Sequence, residues 1–368
     1  MSYRIAMVGA CPFPVPQGSQ VLLKTTAQAL QRRGHDVRLV VYGYGIGEDD
    51  SGVPLRRAWR VPLARKTAAG PSVFKPLLDL ALAAQLARVI NTENIEVVHA
   101  HNYEGLMVAL AVGKRPIVYH AHNAMADELP HYFGGAAVVE ELGRRLDRNL
   151  PRQADHVIAP QPALADYLAA SGCPSERVSV IAPSVDAELF SPPDVGEAVP
   201  PVLYSGNLDR YQNLGLLTSA MEKVRESLPE ARLVVATADR RRIAGAETVV
   251  TRDFNAMRQV LAQDAVFACP RVSWSGYPMK LLNAMAAGKA SVACRSAAYP
   301  LRDGATGLIV PDNDLDRFAE ALLHLLQDPA LRLSLGQAAR KVVLDEHHPD
   351  TVAAQIEEAY SRALKKPS

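Results

Sequence analysis

Short apolar runs rich in Val and Ile alternate with longer stretches of helical periodicity along the whole chain. That alternation points to parallel βαβ units, with helices covering the faces of each sheet. The spacing predicts a first buried strand over Arg4–Gly9, then the loop CPFPVPQGS, then a helix from Val21 that stops at Gly34, with Ser19 as its N-cap. Further strands are expected at Val37–Tyr42, Val97–Ala100, Ile117–His120, His156–Ala159 and Val178–Ile181. The segment Ser191–Pro201 carries four prolines and no periodicity, so it reads as a linker. A second series follows, with strands at Val202–Ser205, Arg232–Ala236, Ala265–Cys269, Ala290–Ala293 and Gly307–Val310. Helices are expected at Leu214–Glu226 and Met279–Ala287, and from Leu315 the chain reads as wholly helical.

A length of 368 residues suits two domains of ordinary size. The expected fold class is α/β: two doubly wound Rossmann-like domains facing across a cleft. The expected boundaries are 1–190, a linker at 191–201, 202–348, and a last helix at 349–368. In such sheets ligands bind outside the carboxyl ends of the strands, so the loops after strands carry the search for chemistry.

Charge and composition narrow the function classes. Lys plus Arg number 40 and Asp plus Glu 39, a balance that argues against a general nucleic-acid binder. No apolar run reaches the roughly 18–20 residues that span a bilayer. The start MSYRIAMVGACPFP has no signal-peptide pattern. Cys11, Cys173, Cys269 and Cys294 lie far apart and form no metal-ligand spacing. A reduced, cytoplasmic protein is the expectation. One stretch breaks the even charge: Arg56, Arg57, Arg60, Arg65, Lys66 and Lys75 have no acidic residue among them, and the apolar run LLDLALAAQLARVI follows. It suits either a solvated loop before a core helix or an element resting on the inner face of an anionic membrane.

Four segments could carry chemistry. In PQGSQ, Gly18 and Ser19 open a helix whose N-terminus could meet an anion, or simply make a turn and cap. The pairs His99–Ala100–His101 and His120–Ala121–His122 each end a predicted strand, where residues two apart face one side. Four such histidines suit acid–base or hydrogen-bonding work, or zinc, although no carboxylate sits at a supporting spacing. His122, last before the loop, is the best placed. The loop SGNLDRYQN places Gly206, Asn207, Asp209, Arg210 and Gln212 after a strand, with Asn213 as the expected helix cap. The segment RVSWSGYPMKLLNAMAAGKASVA, residues 271–293, sets a tight turn at Gly276 and Pro278, then a helix with Lys280 in its first turn. That is a reasonable diphosphate site.

With PQGSQ, GHDVRLV, VVHAHNYEG, VIAPSVD, AMAAGKASV and DGATGLIV in place, nearly the whole chain resembles glycosyltransferase family 4. The resemblance implies retaining, metal-independent transferases of the GT-B fold. In these the first domain takes the acceptor, the second takes the nucleotide-sugar, and the last helix crosses back to the first domain. It implies a supportive contact of His122 with the transferred sugar, and places Gly18, Ser19 and His101 on the acceptor and phosphate side. Donor contacts are implied for Gly206, Asn207, Arg210, Gln212, Ser275, Gly276, Lys280, Leu281 and Asn283. The family's paired glutamates fall at Ser275 and Asn283, and its basic pair at Asn207 and Gln212. None of the four is charged as the family pattern has it, and Arg210 and Lys280 are the substitutes at hand.

Two functions follow. One is a retaining hexosyltransferase that moves a sugar from a nucleoside diphosphate to a hydroxyl, with no cofactor beyond the donor and a UDP-sugar ahead of a GDP-sugar. Its acceptor would be lipid-linked or a cell-envelope glycan, with peripheral membrane contact through residues 56–75. The other is a non-catalytic partner or scaffold of another glycosyltransferase, which the missing charges would favour.

Overall fold

The computed structural model describes residues 2–15, 18–67, 70, 72–113, 116–133, 136–192 and 199–365. The chain divides into two compact units, Met1–Ser184 with Pro349–Ser368, and Val185–His348.

The first unit runs β1 (Arg4–Gly9), α1 (Gly18–Arg32), β2 (Asp36–Val41), β3 (Leu55–Arg57), α2 (Lys75–Thr92), β4 (Val97–His101), α3 (Asn102–Val112), β5 (Ile117–His120), α4 (Met125–Tyr132), α5 (Ala136–Asn149), β6 (His156–Ala159), α6 (Pro162–Ala170) and β7 (Val178–Val180). The second unit continues with β8 (Val202–Ser205), α7 (Leu214–Ser227), β9 (Leu233–Thr237), β10 (Glu247–Val250), α8 (Phe254–Ala262), β11 (Val266–Cys269), α9 (Met279–Ala286), β12 (Ser291–Cys294), β13 (Leu308–Val310), α10 (Leu315–Gln327) and α11 (Pro329–Glu346). The last helix, α12 (Pro349–Leu364), belongs to the first unit.

Among the described residues each unit holds one parallel sheet, ordered β3-β2-β1-β4-β5-β6-β7 and β10-β9-β8-β11-β12-β13. The strand order reverses beside β1 in the first and beside β8 in the second. Both are therefore doubly wound α/β sheets, with switch points between β1 and β4 and between β8 and β11. The central strands read as continuous apolar runs because helices cover both their faces, and Ile5, Ala6, Met7 and Val8 are fully buried. Asp253, Asp314 and Asp328 cap α8, α10 and α11 by accepting from the N–H groups of Ala256, Arg317 and Leu331. Val352, Ile356 and Tyr360 of α12 pack with Ile5, Met7 and Leu23 in the core of the first unit.

Several expectations change. Ser19 lies inside the first turn of α1 rather than capping it, since the helix already begins at Gly18. Asn213 sits at the N-cap of α7 in a left-handed conformation, but its side chain donates to Asn313 Oδ1 at 3.0 Å instead of capping. The unit boundary falls at Ser184, not at 190. Residues 185–190 are tied into the second unit by Val185 N–H donating to His347 O and by Arg340 donating to Phe190 O. Residues 193–198 of the expected linker, and Pro16 and Gln17 of the first loop, lie outside the described residues. The basic stretch is not one uniform loop. Arg56 stands in β3 and donates to Glu93, while Lys75 opens α2 and pairs with Glu104. No helix among the described residues is long and apolar enough to cross a membrane.

Candidate active site

In the second unit the polar groups gather at the switch point. Gly206 directly follows β8, Arg271 stands two residues after β11, and Lys280 is the second residue of α9. Lys280 Nζ donates to Asn207 Oδ1 at 2.8 Å and to Tyr204 Oη at 3.2 Å, and lies 5.3 Å from the centroid of the Tyr204 ring. Gln212, buried, donates to the same Asn207 oxygen, and Tyr204 donates to Asn207 O at 2.5 Å. Asn207 is thereby locked as an acceptor for the lysine. Burial, with the nearby Arg271 charge as the second cause, pushes the Lys280 ammonium down to about 7. Arg271 lies over the Tyr211 ring at 5.3 Å and donates to Ser273 Oγ. Its Nε is buried without a hydrogen-bond partner. Two cations held side by side, one with an orphaned N–H, favour an anion between them.

The two glycines of this region make room for those cations. Gly206 has φ of 144°, and a Cβ there would lie 2.1 Å from Lys280 Cε and Nζ; at Gly276 it would lie 2.5 Å from Arg271 Nη2. Sequence reasoning included Arg271 as the first residue of the 271–293 segment but did not single it out as a charge, and named Arg210 instead. Arg210 is exposed in a short 3₁₀ turn, and the second cation beside Lys280 is Arg271.

In the first unit all four histidines converge. His99 Nδ1 lies 2.7 Å from Tyr360 Oη of α12, and its Nε2 lies 3.2 Å from His120 Nδ1. His101 Nδ1 meets His122 Nε2 at 3.3 Å. His101 Nε2 and His120 Nε2 are buried with no partner. Burial holds every ring neutral: His99 is pushed down to about 3, His122 to about 4, and the other two well below the usual range. His122 is half-buried, and with Nε2 taken by His101 its Nδ1 is the ring atom left for a substrate. The ligand atoms of His99, His101 and His120 lie within 4.8 Å of one another, so the trio could hold a cation, with neutral donors only. Gly18 and Ser19 are exposed at the start of α1.

The first unit also holds a group of carboxylates that no motif announced. Glu104 of α3, paired with Lys75, acts on Cys11, Asp79 and Glu128. Burial, then the Glu104 charge, pushes Glu128 up to about 7, against hydrogen bonds with Asn123 and Tyr132. Tyr42 donates to Asp79 Oδ1 at 2.5 Å. Cys11, Tyr42, Glu104 and Glu128 follow the carboxyl ends of β1, β2, β4 and β5, and Asp79 stands in α2.

Residues 16–189 match the model of Glycosyltransferase Family 4, and residues 199–328 match that of Glycosyl transferases group 1. The chain belongs to glycosyltransferase family 4. Among family relatives, the sulfoquinovosyl transferase of Arabidopsis thaliana is 27% identical over 92% of this chain and 69% of its own. The phosphatidyl-myo-inositol mannosyltransferase of Mycobacterium leprae is 25% identical over 97% and 96%. Among solved structures, sucrose-phosphate synthase from Thermosynechococcus elongatus superposes with a TM-score of 0.82 at 18% identity, covering 97% of this chain and 98% of that one. Anabaena HepE in complex with UDP-glucose follows at 0.72 and 16%, covering 98% and 99%. This family 4 chain is a glycosyltransferase with a two-domain Rossmann-like fold of the GT-B type.

Of the positions expected to contact a donor, the structure brings Gly206, Asn207, Gln212, Gly276 and Lys280 together around the switch point. Asn283 lies half-buried three residues beyond Lys280 on α9. Ser275 is fully buried, and so is Leu281, whose N–H is spent on Pro278 O at 2.9 Å. The N–H of Met279 is likewise spent, on Tyr277 O. The start of α9 thus offers a lysine more than a row of free N–H groups.

Proposed function

We propose that this glycosyltransferase is a retaining, metal-independent hexosyltransferase that takes a nucleoside-diphosphate sugar, UDP ahead of GDP, and transfers the sugar to a hydroxyl. The observation that carries this reading is the Lys280–Arg271 pair set over Gly206 and Gly276. It supplies the positive charge that Asn207 and Gln212 lack, and on the same argument the non-catalytic reading loses its main support. The pair neutralises the diphosphate as the bond to the anomeric carbon breaks, which is electrostatic stabilisation of the leaving group. Arg271 bridges phosphate oxygens with its fork, and Lys280 acts as a point charge. That relatives of this fold bind UDP and UDP-glucose favours the same donor class here.

His122 Nδ1 contacts the transferred sugar as a neutral hydrogen-bonding group, oriented through Nε2 by His101. Glu104, Asp79 and Glu128 accept hydrogen bonds from acceptor hydroxyls, which suits a polyhydroxylated acceptor. A lipid-linked or cell-envelope glycan is the acceptor class we favour, since the Mycobacterium leprae relative is by name a mannosyltransferase of phosphatidyl-myo-inositol. Calorimetric titration with UDP, GDP and their sugar conjugates, in EDTA, tests the donor half. One nucleotide should bind, and Lys280→Ala and Arg271→Ala should each weaken it at least about tenfold, the loss of one charge-assisted contact. His122→Ala should leave that affinity within about twofold while turnover falls by ~100-fold or more. No binding by the wild type, or equal binding by both charge variants, overturns the assignment.

A further inference from the structure

Helix α2 is apolar on two sides. Its inner side buries Leu78, Leu82 and Leu86 to 3% exposure or less. Its outer side presents Leu77 and Leu80, 55% and 69% exposed, with exposed Ala84 one turn further on. A helix covering a sheet in water normally carries charge on that outer stripe. The segment leading into it repeats the pattern: Trp59, Leu63 and Val73 are 74%, 79% and 87% exposed, while the small residues Ala58 and Ala64 turn inward. Interleaved with these are exposed Arg57, Arg60 and Arg65, and no acidic residue occurs between 56 and 75. Arg56 and Lys75, at the two ends of the stretch, are consumed by Glu93 and Glu104. The surface charge therefore comes from the middle of the stretch, beside the exposed tryptophan. The acid in the first turns of α2, Asp79, is half-buried and bonded to Tyr42.

We infer that Trp59, Leu63, Val73 and the Leu77–Leu80 stripe of α2 form one membrane-seating face, and that its partner is the surface of an anionic lipid bilayer. The apolar side chains insert at the level of the acyl boundary and the arginines contact lipid phosphates, the pairing of groups that fixes an interfacial element. Tyr44 Oη donates to Lys66 O, and Gly43 packs against the backbone of Ala58 and Arg60, so this loop is held at the carboxyl end of β2, on the edge that carries His122. The face would bring that edge to the bilayer. The inference deepens the lipid-linked acceptor reading and rests on it for its purpose.

Co-sedimentation of the full chain with vesicles is the test. Vesicles of phosphatidylcholine with about one-third phosphatidylglycerol should retain the protein, while pure phosphatidylcholine should retain it at least about tenfold less. Leu77→Glu with Leu80→Glu should abolish retention, and Arg60→Glu should lower it about fivefold or more, with thermal unfolding unchanged. Nucleotide titration of the same variants should match the wild type. That separates the two readings, because intact nucleotide binding without vesicle binding overturns this face alone. Equal retention of wild type and variants overturns it, as does self-association through these residues in place of vesicle binding.

Discussion

Lys280 shows how a single glycine can decide a charge. Its ammonium occupies the volume that a side chain at residue 206 would need, and Gly206 also stands at a φ of 144°, which L side chains rarely adopt. Gly206→Ala should therefore displace Lys280 and weaken nucleotide binding at least about tenfold, as the loss of a charge-assisted contact would. The double variant with Lys280→Ala should then add little to either single change, since both remove the same contact. Full additivity in calorimetry would show that Gly206 acts on the donor directly. The lysine was legible because the turn Gly276–Pro278 and the following helix mark its position. Arg271 was not. Its position near Lys280 depends on β11 lying beside β8, a long-range pairing that no local pattern in PRVSW encodes. Arg210 misled for the converse reason: it is adjacent in sequence to the right loop but turns outward in a short helix.

At the scale of elements, periodicity recovered the buried parallel strands and the long helices, because burial on both faces writes continuous apolar runs into the chain. The edge strands β3 and β10 escaped it. Leu55–Arg57 and Glu247–Val250 are short and half-exposed, so little apolar burial constrains their sequence. The helix with the most to report is α12. It is last in sequence, yet it inserts Tyr360 into the core of the first unit, fully buried, with its hydroxyl 2.7 Å from His99. Tyr360→Phe keeps the ring and removes that one bond, leaving a buried imidazole nitrogen unsatisfied. A cost of about 1–3 kcal/mol is expected in urea unfolding. Turnover should fall less than in His122→Ala, because His99 and His120 form a bonded pair separate from His101 and His122. A turnover loss as large as that of His122→Ala would mean that the two pairs act as one network.

The whole molecule carries an imbalance in its pH response. His99, His101, His120 and His122 are held neutral in the folded first unit, two of them down to about 3 and 4, while an unfolded histidine titrates near 6.5. Between those values the unfolded chain binds more protons than the folded one, so stability rises with pH and is lost as the medium is acidified from about 6.5. Each histidine contributes a slope of up to about 1.4 kcal/mol per pH unit, and several together would exhaust a stability of about 5–15 kcal/mol within a few units. Glu128 opposes this. Its folded value is raised to about 7, so between its unfolded value and 7 the folded state is the one that binds the proton, offsetting roughly one histidine. Carboxylates held low by partners, such as Glu93 and Glu357, lose their contribution only at more acid pH, below the usual carboxylate range. The two causes therefore separate on the pH axis. Hydrogen exchange of β4 and β5, corrected for intrinsic rates, should show protection falling already between pH 6.5 and 5, while β8 and β11 of the second unit hold theirs over that interval. Protection in β4 and β5 that stays level to pH 5 would mean that the imidazoles take up protons in the folded state. The neutral cluster that orients His122 would then not exist in solution.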